Sequence, residues 1–414
     1  LGLAGCTASP EINVLSHRLA RITESLRARP DEAATGSIVG VVLIGETPVA
    51  GATVVIAEPD GAPHNAVTGD DGRYRLENLP TGLYAVAAVA PGAEEGEATG
   101  LLGLRRLMLV TPGATTTVPP IILRRHLATP LPVALAQAVK LHRTDDYTVT
   151  SSFPPGAQAD VTAWQFERDG VVVDTLRLYR PAQGSPQVES GAQPPLLFII
   201  YPSHVDGWQP VSVAFAAIGF TVAALSPAAE RAIDFEGHAE DARTGFHLAL
   251  DGALTAGRRI DEVALFAGSF SSAIMHLVLR DETQRVGAVV IVGGIANAFE
   301  GARDYYAGRL KIPPQHRNVI PALGFPNVRT LELLRLSPVY TPARLPRTLI
   351  IHTTADEVIP VSQAQALEQA ARAAGIAVEA YYYDDVSHYL LIGEEMTEAG
   401  AEMFWRIVEF LQGR

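Results

Sequence analysis

From Leu196 to Tyr383 the chain repeats one device: a short run with hardly a polar side chain, then a longer stretch of helical character. The runs are Leu196 to Tyr201, Phe220 to Leu225, Val263 to Ala267, Ala288 to Val292, Thr348 to His352 and Val378 to Tyr383. A strand with one wet face alternates apolar and polar residues, because successive side chains point to opposite sides of the sheet. A strand that is apolar throughout must be covered on both sides, the condition of a parallel sheet held between two layers of helices. Upstream, Val149 to Phe153, Ala159 to Arg168 and Gly170 to Tyr179 read as an antiparallel entry to that sheet. The last two are joined by a hairpin turn at Arg168-Asp169-Gly170.

One run leads straight into a turn of small residues. Val263-Ala-Leu-Phe-Ala267 is followed by Gly268-Ser269-Phe270-Ser271-Ser272-Ala273, and then by an apolar helix with Ile274, Leu277 and Val278. Strand, tight turn and helix in this order can project one serine hydroxyl from the C-terminal edge of a sheet if the positions two before and two after it are small. Ser269 meets the condition with Ala267 and Ser271 as flanks, and Ser271 meets it with Ser269 and Ala273. Ser269 is preferred because it follows the strand sooner. A serine-rich helix cap without chemistry is the other reading of the same residues.

A serine hydroxyl needs a base to take its proton as it attacks a carbonyl, and histidine, with an unperturbed pKa near 6.5, suits that task. A carboxylate that holds the histidine in one tautomer completes the device. The run ending at His352 continues Thr-Thr-Ala355-Asp356, and the run ending at Tyr383 continues Asp384-Asp385-Val-Ser387-His388. Asp356 is the candidate acid and His388 the candidate base, with Glu357, Asp384 and Asp385 as competing acids. His238, His247 and His276 read as helical packing residues, and His352 as a strand end beside the acid or a residue lining the pocket.

These residues resemble the α/β-hydrolase superfamily. His352-Thr-Thr-Ala-Asp356-Glu-Val-Ile-Pro360 is similar to its His-Gly-x-x-Asp-x-x-x-Pro pattern, with Thr353 in place of the usual glycine. Asp385-Val-Ser-His388 is similar to its Asp-x-Ser-His pattern, and Ala267-Gly-Ser-Phe-Ser271 departs from Gly-x-Ser-x-Gly at both ends. Serine, acid and histidine stand in the order that the superfamily uses. The resemblance implies an α/β-hydrolase fold with Ser269 as nucleophile, His388 as general base and Asp356 orienting it. It also implies an oxyanion hole made by the backbone N–H of Phe270 and one from the loop Pro202 to Gly207. Pro202 has no N–H, so Ser203 or His204 is the second donor. Ser337-Pro338 and Thr354-Ala-Asp356 resemble both dienelactone-hydrolase-like and prolyl-oligopeptidase-like domains. The implied activity is cleavage of a carboxylic ester or thioester through an acyl-enzyme, on a small-molecule ester or short peptide and without a cofactor. A peptidase of the prolyl-oligopeptidase type and a catalytically silent binding protein are the alternatives. Residues 295 to 337 separate two sheet strands by more than one helix requires and read as a cap above Ser269, or else as a surface insertion.

The N-terminal part has a different texture. Ser37 to Leu43, Ala52 to Ala57, Gly72 to Leu76 and Gly82 to Val89 are short strand-like runs. They are separated by Pro59-Asp-Gly61, Asp70-Asp-Gly72 and Leu79-Pro-Thr-Gly82, where proline fixes φ and glycine reaches positive φ. Such spacing suggests a small β-sandwich. Pro48-Val-Ala-Gly-Ala-Thr-Val54, Thr68-Gly-Asp-Asp-Gly-Arg-Tyr74 and Leu79-Pro-Thr-Gly-Leu-Tyr84 resemble a carboxypeptidase regulatory-like domain, which implies a small all-β, seven-stranded transthyretin-like scaffold. The expected boundaries are a tether over 1–35, the sandwich over 36–126 and the hydrolase over 127–414.

Composition narrows the partners. With 32 Lys and Arg against 45 Asp and Glu the formal net charge is −13, and no basic run is interleaved with aromatics, so nucleic acid is not an expected partner. The single cysteine, Cys6, allows neither an intrachain disulfide nor a cysteine-based zinc site. His204 and Asp206 lack a partner motif, and no metal is expected. Leu3-Ala-Gly-Cys6 resembles the lipobox of a bacterial lipoprotein, which implies lipidation of Cys6 and a tethered position in the bacterial envelope, facing the periplasm or exterior. The longest apolar stretch, Val211 to Leu225, is broken by Ser212, Gly219 and Thr221 and is too short to span a bilayer. Any membrane contact is therefore expected through the lipid alone. Oligomeric state is not written in these features.

Overall fold

The computed structural model describes residues 35–91, 101–125, 130–182, 196–260, 262–282, 285–310, 319–384, 386–388 and 397–413. Cys6 and Asp385 lie outside them. The chain forms two compact units, one from Leu1–His126 with Ala296–Pro342 and the other from Leu127–Ile295 with Ala343–Arg414.

In the first unit, ten strands make two five-stranded sheets. β1 (Thr35–Ile44) lies between β2 (Thr47–Pro48) and β5 (Arg73–Pro80), and also pairs in parallel with β8 (Thr115–Thr117) and β9 (Ile121–Ile122). The second sheet runs β10-β7-β6-β3-β4, built from β3 (Thr53–Ala57), β4 (Pro63–Val67), β6 (Gly82–Val89), β7 (Leu101–Val110) and β10 (Arg124–Arg125). Ile38, Val42, Val54, Ile56, Leu76, Leu79, Tyr84 and Val86 fill the core of this sandwich. β5 alternates buried and exposed residues over Arg73–Leu76, as a strand with one wet face should. β3 and β6 do not alternate, because their other face is also covered. Val55, Ala57, Ala87 and Val89 point away from the sandwich core and pack with Phe299, Leu333 and Leu334.

The covering residues belong to the segment expected to be a cap. Its helices Ala298–Tyr306 and Thr330–Arg335 bury their apolar side chains on the second sheet of the sandwich. The attachment also uses the backbone. A register shift between Tyr84 and Val86 takes Ala85 out of the β6–β7 ladder. Its N–H instead donates to the Asn327 carbonyl (2.7 Å), and its carbonyl accepts from Thr330 Oγ1 (3.0 Å). Residues 296–342, expected within the hydrolase over 127–414, thus bury their apolar face on the sandwich and belong to the first compact unit.

The second unit is built on a nine-stranded sheet of order β11-β12-β13-β15-β14-β16-β17-β18-β19. Its strands are β11 (His142–Thr150), β12 (Gln158–Arg168), β13 (Val171–Pro181), β14 (Leu196–Ile200), β15 (Thr221–Leu225), β16 (Val263–Gly268), β17 (Val286–Val292), β18 (Arg347–Thr353) and β19 (Val378–Tyr383). The first three are antiparallel, and from β15 onward every pairing is parallel. Leu197 and Ile199 of β14 face a core shared with the helices Val205–Ala217 and Glu398–Leu411. Phe198, between them, meets Phe246 of the helix Phe235–Leu250 edge to face at 5.6 Å. Helices thus cover both faces, as the apolar runs require, and the unit has the α/β-hydrolase fold that the resemblance implied. β11 is longer and earlier than the expected strand at Val149 to Phe153. It is a mostly exposed edge strand, so most of its residues carry no apolar signal.

Buried charge fastens one end of this sheet. Asp241, on the helix Phe235–Leu250, is 1% exposed and receives Arg231 at 2.7 Å and Arg168 at 3.0 Å. Arg168 closes β12 at the hairpin turn, so the pair of arginines holds that turn to the helix.

Candidate active site

From β14 the chain steps to β15 on one side, and from β15 it crosses back over β14 to β16 on the other, so the direction of winding reverses here. Such a switch point opens a crevice at the carboxyl ends of the strands. The residues singled out from the sequence are placed at those ends.

Ser269 directly follows β16 and precedes the helix Phe270–Glu282. Its φ is +48°, a left-handed conformation that costs a non-glycine residue about 1–2 kcal/mol. The turn is held by Ser269 N–H donating to the Val292 carbonyl (3.1 Å) and by Ser272 Oγ donating to the Ser269 carbonyl (2.6 Å). Ser271, the rival nucleophile, is fully buried, and its hydroxyl is engaged by Ile200 and Gly268. Its flank is small for packing reasons, but the tightest position in the turn is another one. A Cβ at Gly268 would lie 2.8 Å from the Val292 carbonyl oxygen, closer than real contacts allow.

Asp356 stands three residues beyond β18 and His388 five beyond β19. His388 Nε2 is 2.8 Å from Ser269 Oγ, and His388 Nδ1 is 2.7 Å from Asp356 Oδ2. The Asp356 side chain is 2% exposed and that of His388 8%. Asp356 Oδ1 accepts from the N–H groups of Val358 (2.9 Å) and Ile359 (2.7 Å), which fixes the plane of the carboxylate. Burial alone would raise the pKa of Asp356, but hydrogen bonds from His352, His388 and the Ile359 N–H outweigh it and hold the group well below the usual carboxylate range. An ionised carboxylate only accepts, so Nδ1 of His388 carries the proton and Nε2 is left to accept from Ser269.

The competing acids are placed elsewhere. Glu357 accepts the backbone N–H of His388 (3.1 Å), not its ring. Asp384 accepts from Thr354 Oγ1 (2.7 Å). His352, read as a strand end beside the acid that could line the pocket, is buried, donates Nε2–H to the Ile359 carbonyl (2.8 Å) and lies 3.4 Å from Asp356 Oδ2. Gly293 was not singled out at all. It sits at φ +53° beside the pair, where a Cβ would come within 3.5 Å of Asp356 Oδ2 and 3.6 Å of the His388 ring. A double glycine ending an apolar run, Val292-Gly293-Gly294, was the available signal.

Phe270 is the first residue of its helix, so its N–H is among those without an intrahelical acceptor. Its ring packs against Phe235 at 4.8 Å. Ser203 and His204 lie in the exposed loop after β14. Ser203 Oγ accepts from Trp208 Nε1 (2.9 Å), and Trp208 stacks on Tyr201 at 6.4 Å. His204 caps the helix Val205–Ala217, its Nδ1 accepting from Asp206 N–H (3.4 Å). Among the described residues no group of three His, Cys, Asp or Glu side chains is placed to hold a metal ion, and no helix is long and apolar enough to cross a membrane.

Comparison with known proteins bears mainly on the sandwich. The family model of the carboxypeptidase regulatory-like domain matches residues 37–121, and this part of the chain is such a domain. No curated protein matches the chain. Similar solved structures include Thermogutta terrifontis esterase 2 phosphoramylated by tabun, 18% identical, covering 60% of this chain and 91% of that one with a TM-score of 0.44. The butyrate-bound form of Est2 from the same organism is 19% identical over 59% and 90%, with a TM-score of 0.43. The Francisella virulence factor BioJ is 16% identical over 67% and 88%, with a TM-score of 0.47. At these scores the fold assignment rests on the strand order and the turn at Ser269, not on the likeness.

Proposed function

We propose that this protein is a serine hydrolase that cleaves a carboxylic ester or thioester through an acyl-enzyme. The observation that carries the reading is the unbroken chain Asp356–His388–Ser269, at 2.7 and 2.8 Å, with the serine held at positive φ at the end of a central strand. His388 Nε2 takes the Ser269 proton as Oγ forms its bond to the carbonyl carbon, and returns it to the leaving alcohol or thiol as that bond breaks. Water, activated in the same way, then releases the acid and restores Ser269. The Phe270 N–H and an N–H of Ser203 or His204 are the proposed donors to the tetrahedral oxyanion, where the loss of one donor costs roughly 3–4 kcal/mol. The reaction needs no group beyond this chain and water.

A fluorophosphonate probe tests the reading, applied to the wild type beside Ser269→Ala and Ser271→Ala. Labelling lost only in Ser269→Ala supports it, and p-nitrophenyl esters of graded chain length then rank the acyl groups. Labelling lost only in Ser271→Ala would transfer the nucleophile by two residues. A folded wild type that takes no label would favour a silent, binding role. The second part of the proposal is that lipid on Cys6 tethers the enzyme in the bacterial envelope. Metabolic incorporation of labelled palmitate, abolished by Cys6→Ala, is the expected result.

A further inference from the structure

We infer that Ser271 is a positioning residue that sets the distance between the two sides of the oxyanion hole. The inference rests on the serine-hydrolase reading. The position two after the nucleophile must be small, and glycine would satisfy that need. A serine here brings a hydroxyl into a place with no solvent exposure, where an unsatisfied polar group costs about 1–3 kcal/mol. The hydroxyl is fully used. Ser271 Oγ lies 2.6 Å from the Ile200 carbonyl and 2.9 Å from the Gly268 carbonyl, to which its single proton can be given, and it accepts the Gly268 N–H at 3.1 Å.

What these bonds join gives them their meaning. Gly268 is the residue immediately before Ser269, and Ile200 is the last residue of β14. The β14–β16 ladder stops at the pair Ile200 and Ala267, and the next residue, Tyr201, turns its N–H to Leu225 on the other neighbour. Ser271 Oγ therefore stands between a backbone N–H of β16 and a backbone carbonyl of β14, where the ladder no longer joins them. One proposed oxyanion donor, Phe270 N–H, is adjacent to Ser271. The other, on Ser203 or His204, is three or four residues beyond Ile200. Donors in such holes must stand 2.7–3.1 Å from the developing oxyanion, and a misplacement of about 1 Å can cost on the order of a hundredfold in rate. The hydroxyl bridge acts on the spacing of these donors and touches neither His388 nor Asp356.

The test compares wild type, Ser271→Ala and Ser271→Gly on a p-nitrophenyl ester. Turnover is expressed per site titrated by prolonged fluorophosphonate labelling, so that misfolded protein is not counted. The expected result is a kcat per titrated site lower by about 10–100-fold, with KM within about twofold and the acid limb of the pH–rate profile unmoved. A residue that merely supports the fold would lower the number of titratable sites and leave kcat per site unchanged, and that result would overturn the inference. So would a loss confined to KM. Ser271→Gly keeps the question open to measurement should the alanine variant fold poorly. Failure of the underlying reading looks different, since the wild type itself would then neither label nor turn over.

Discussion

Replacing Asp356 by asparagine preserves the shape of the side chain and should nevertheless nearly abolish turnover. The two backbone donors at Val358 and Ile359 both point at Oδ1. In Asp356→Asn the amide oxygen must take that place, because an NH2 group there would face two N–H donors. The NH2 then replaces Oδ2, 2.7 Å from His388 Nδ1, and donates where the carboxylate accepted. His388 answers by moving its proton to Nε2, the atom that faces Ser269 Oγ at 2.8 Å, and can no longer take the serine proton. The expected loss is on the order of 10⁴ in kcat, or about 5 kcal/mol of barrier. Asp356→Ala, which removes the orienting group without dictating a tautomer, should be no worse than asparagine in spite of its poorer shape. Steady-state kinetics on a p-nitrophenyl ester measures the loss, and ¹⁵N chemical shifts of the imidazole report the tautomer directly. An asparagine variant within about tenfold of wild type, or one that keeps its proton on Nδ1, would refute this reasoning.

Three further outcomes follow from packing and charge. Phe299→Ala removes a fully buried ring from the second face of β3 and β6 and should cost about 3–5 kcal/mol, read as faster hydrogen exchange at Ala85 and along those strands. Unchanged protection there would mean that residues 296–342 do not support the sandwich. Asp241→Ala leaves Arg168 and Arg231 facing a buried vacancy and should cost about 3–5 kcal/mol in urea unfolding, whereas a loss below about 1 kcal/mol would show that water already serves them. His276 is buried, and desolvation, offset only in part by a backbone hydrogen bond at Ile295, pushes its pKa down to about 4. The unfolded chain then binds more protons between about pH 6.5 and 4, so stability falls as pH drops through that window, by up to about 1.4 kcal/mol per unit. His276→Leu should flatten this part of the stability profile, and equal slopes for variant and wild type would contradict the assignment.

Much of the site is legible in the sequence because its chemistry requires rare residue types at strand ends. Ser269, Asp356 and His388 each follow an apolar run, and a parallel sheet brings the carboxyl ends of its strands to one edge. What the sequence conceals is the support. Gly268 is needed because the neighbouring strand passes 2.8 Å from where its Cβ would be, a constraint between residues 24 apart in the chain. His352 and Gly293 gain their importance from Asp356 and His388, which lie close only after folding. Most of β11 escapes notice for the opposite reason: only Tyr147 and Val149 near its end pack on the core, so the exposed first part carries no apolar period.

The apolar runs of the sandwich carried a message that a linear reading misses. Thr53–Ala57 is buried on both faces, and so are Ala87 and Val89 beside Tyr84 and Val86, although a two-layer sandwich has a dry face on one side of each sheet only. Residues such as Val55 and Val89 therefore imply a third layer, which the 91 residues of the expected sandwich, 36–126, do not contain. That layer comes from residues 296–342, whose Phe299, Leu333 and Leu334 otherwise have no core to join. Two apolar surfaces, each unexplained in its own stretch of sequence, account for one another. The bulge at Ala85 makes the match specific, since its N–H and carbonyl are withdrawn from the ladder and satisfied by Asn327 and Thr330. A carboxypeptidase regulatory-like domain expressed here as residues 36–126 alone would expose both the apolar face and those two backbone groups. The sandwich and the later segment thus share one compact unit, and deleting either leaves the other without its complement.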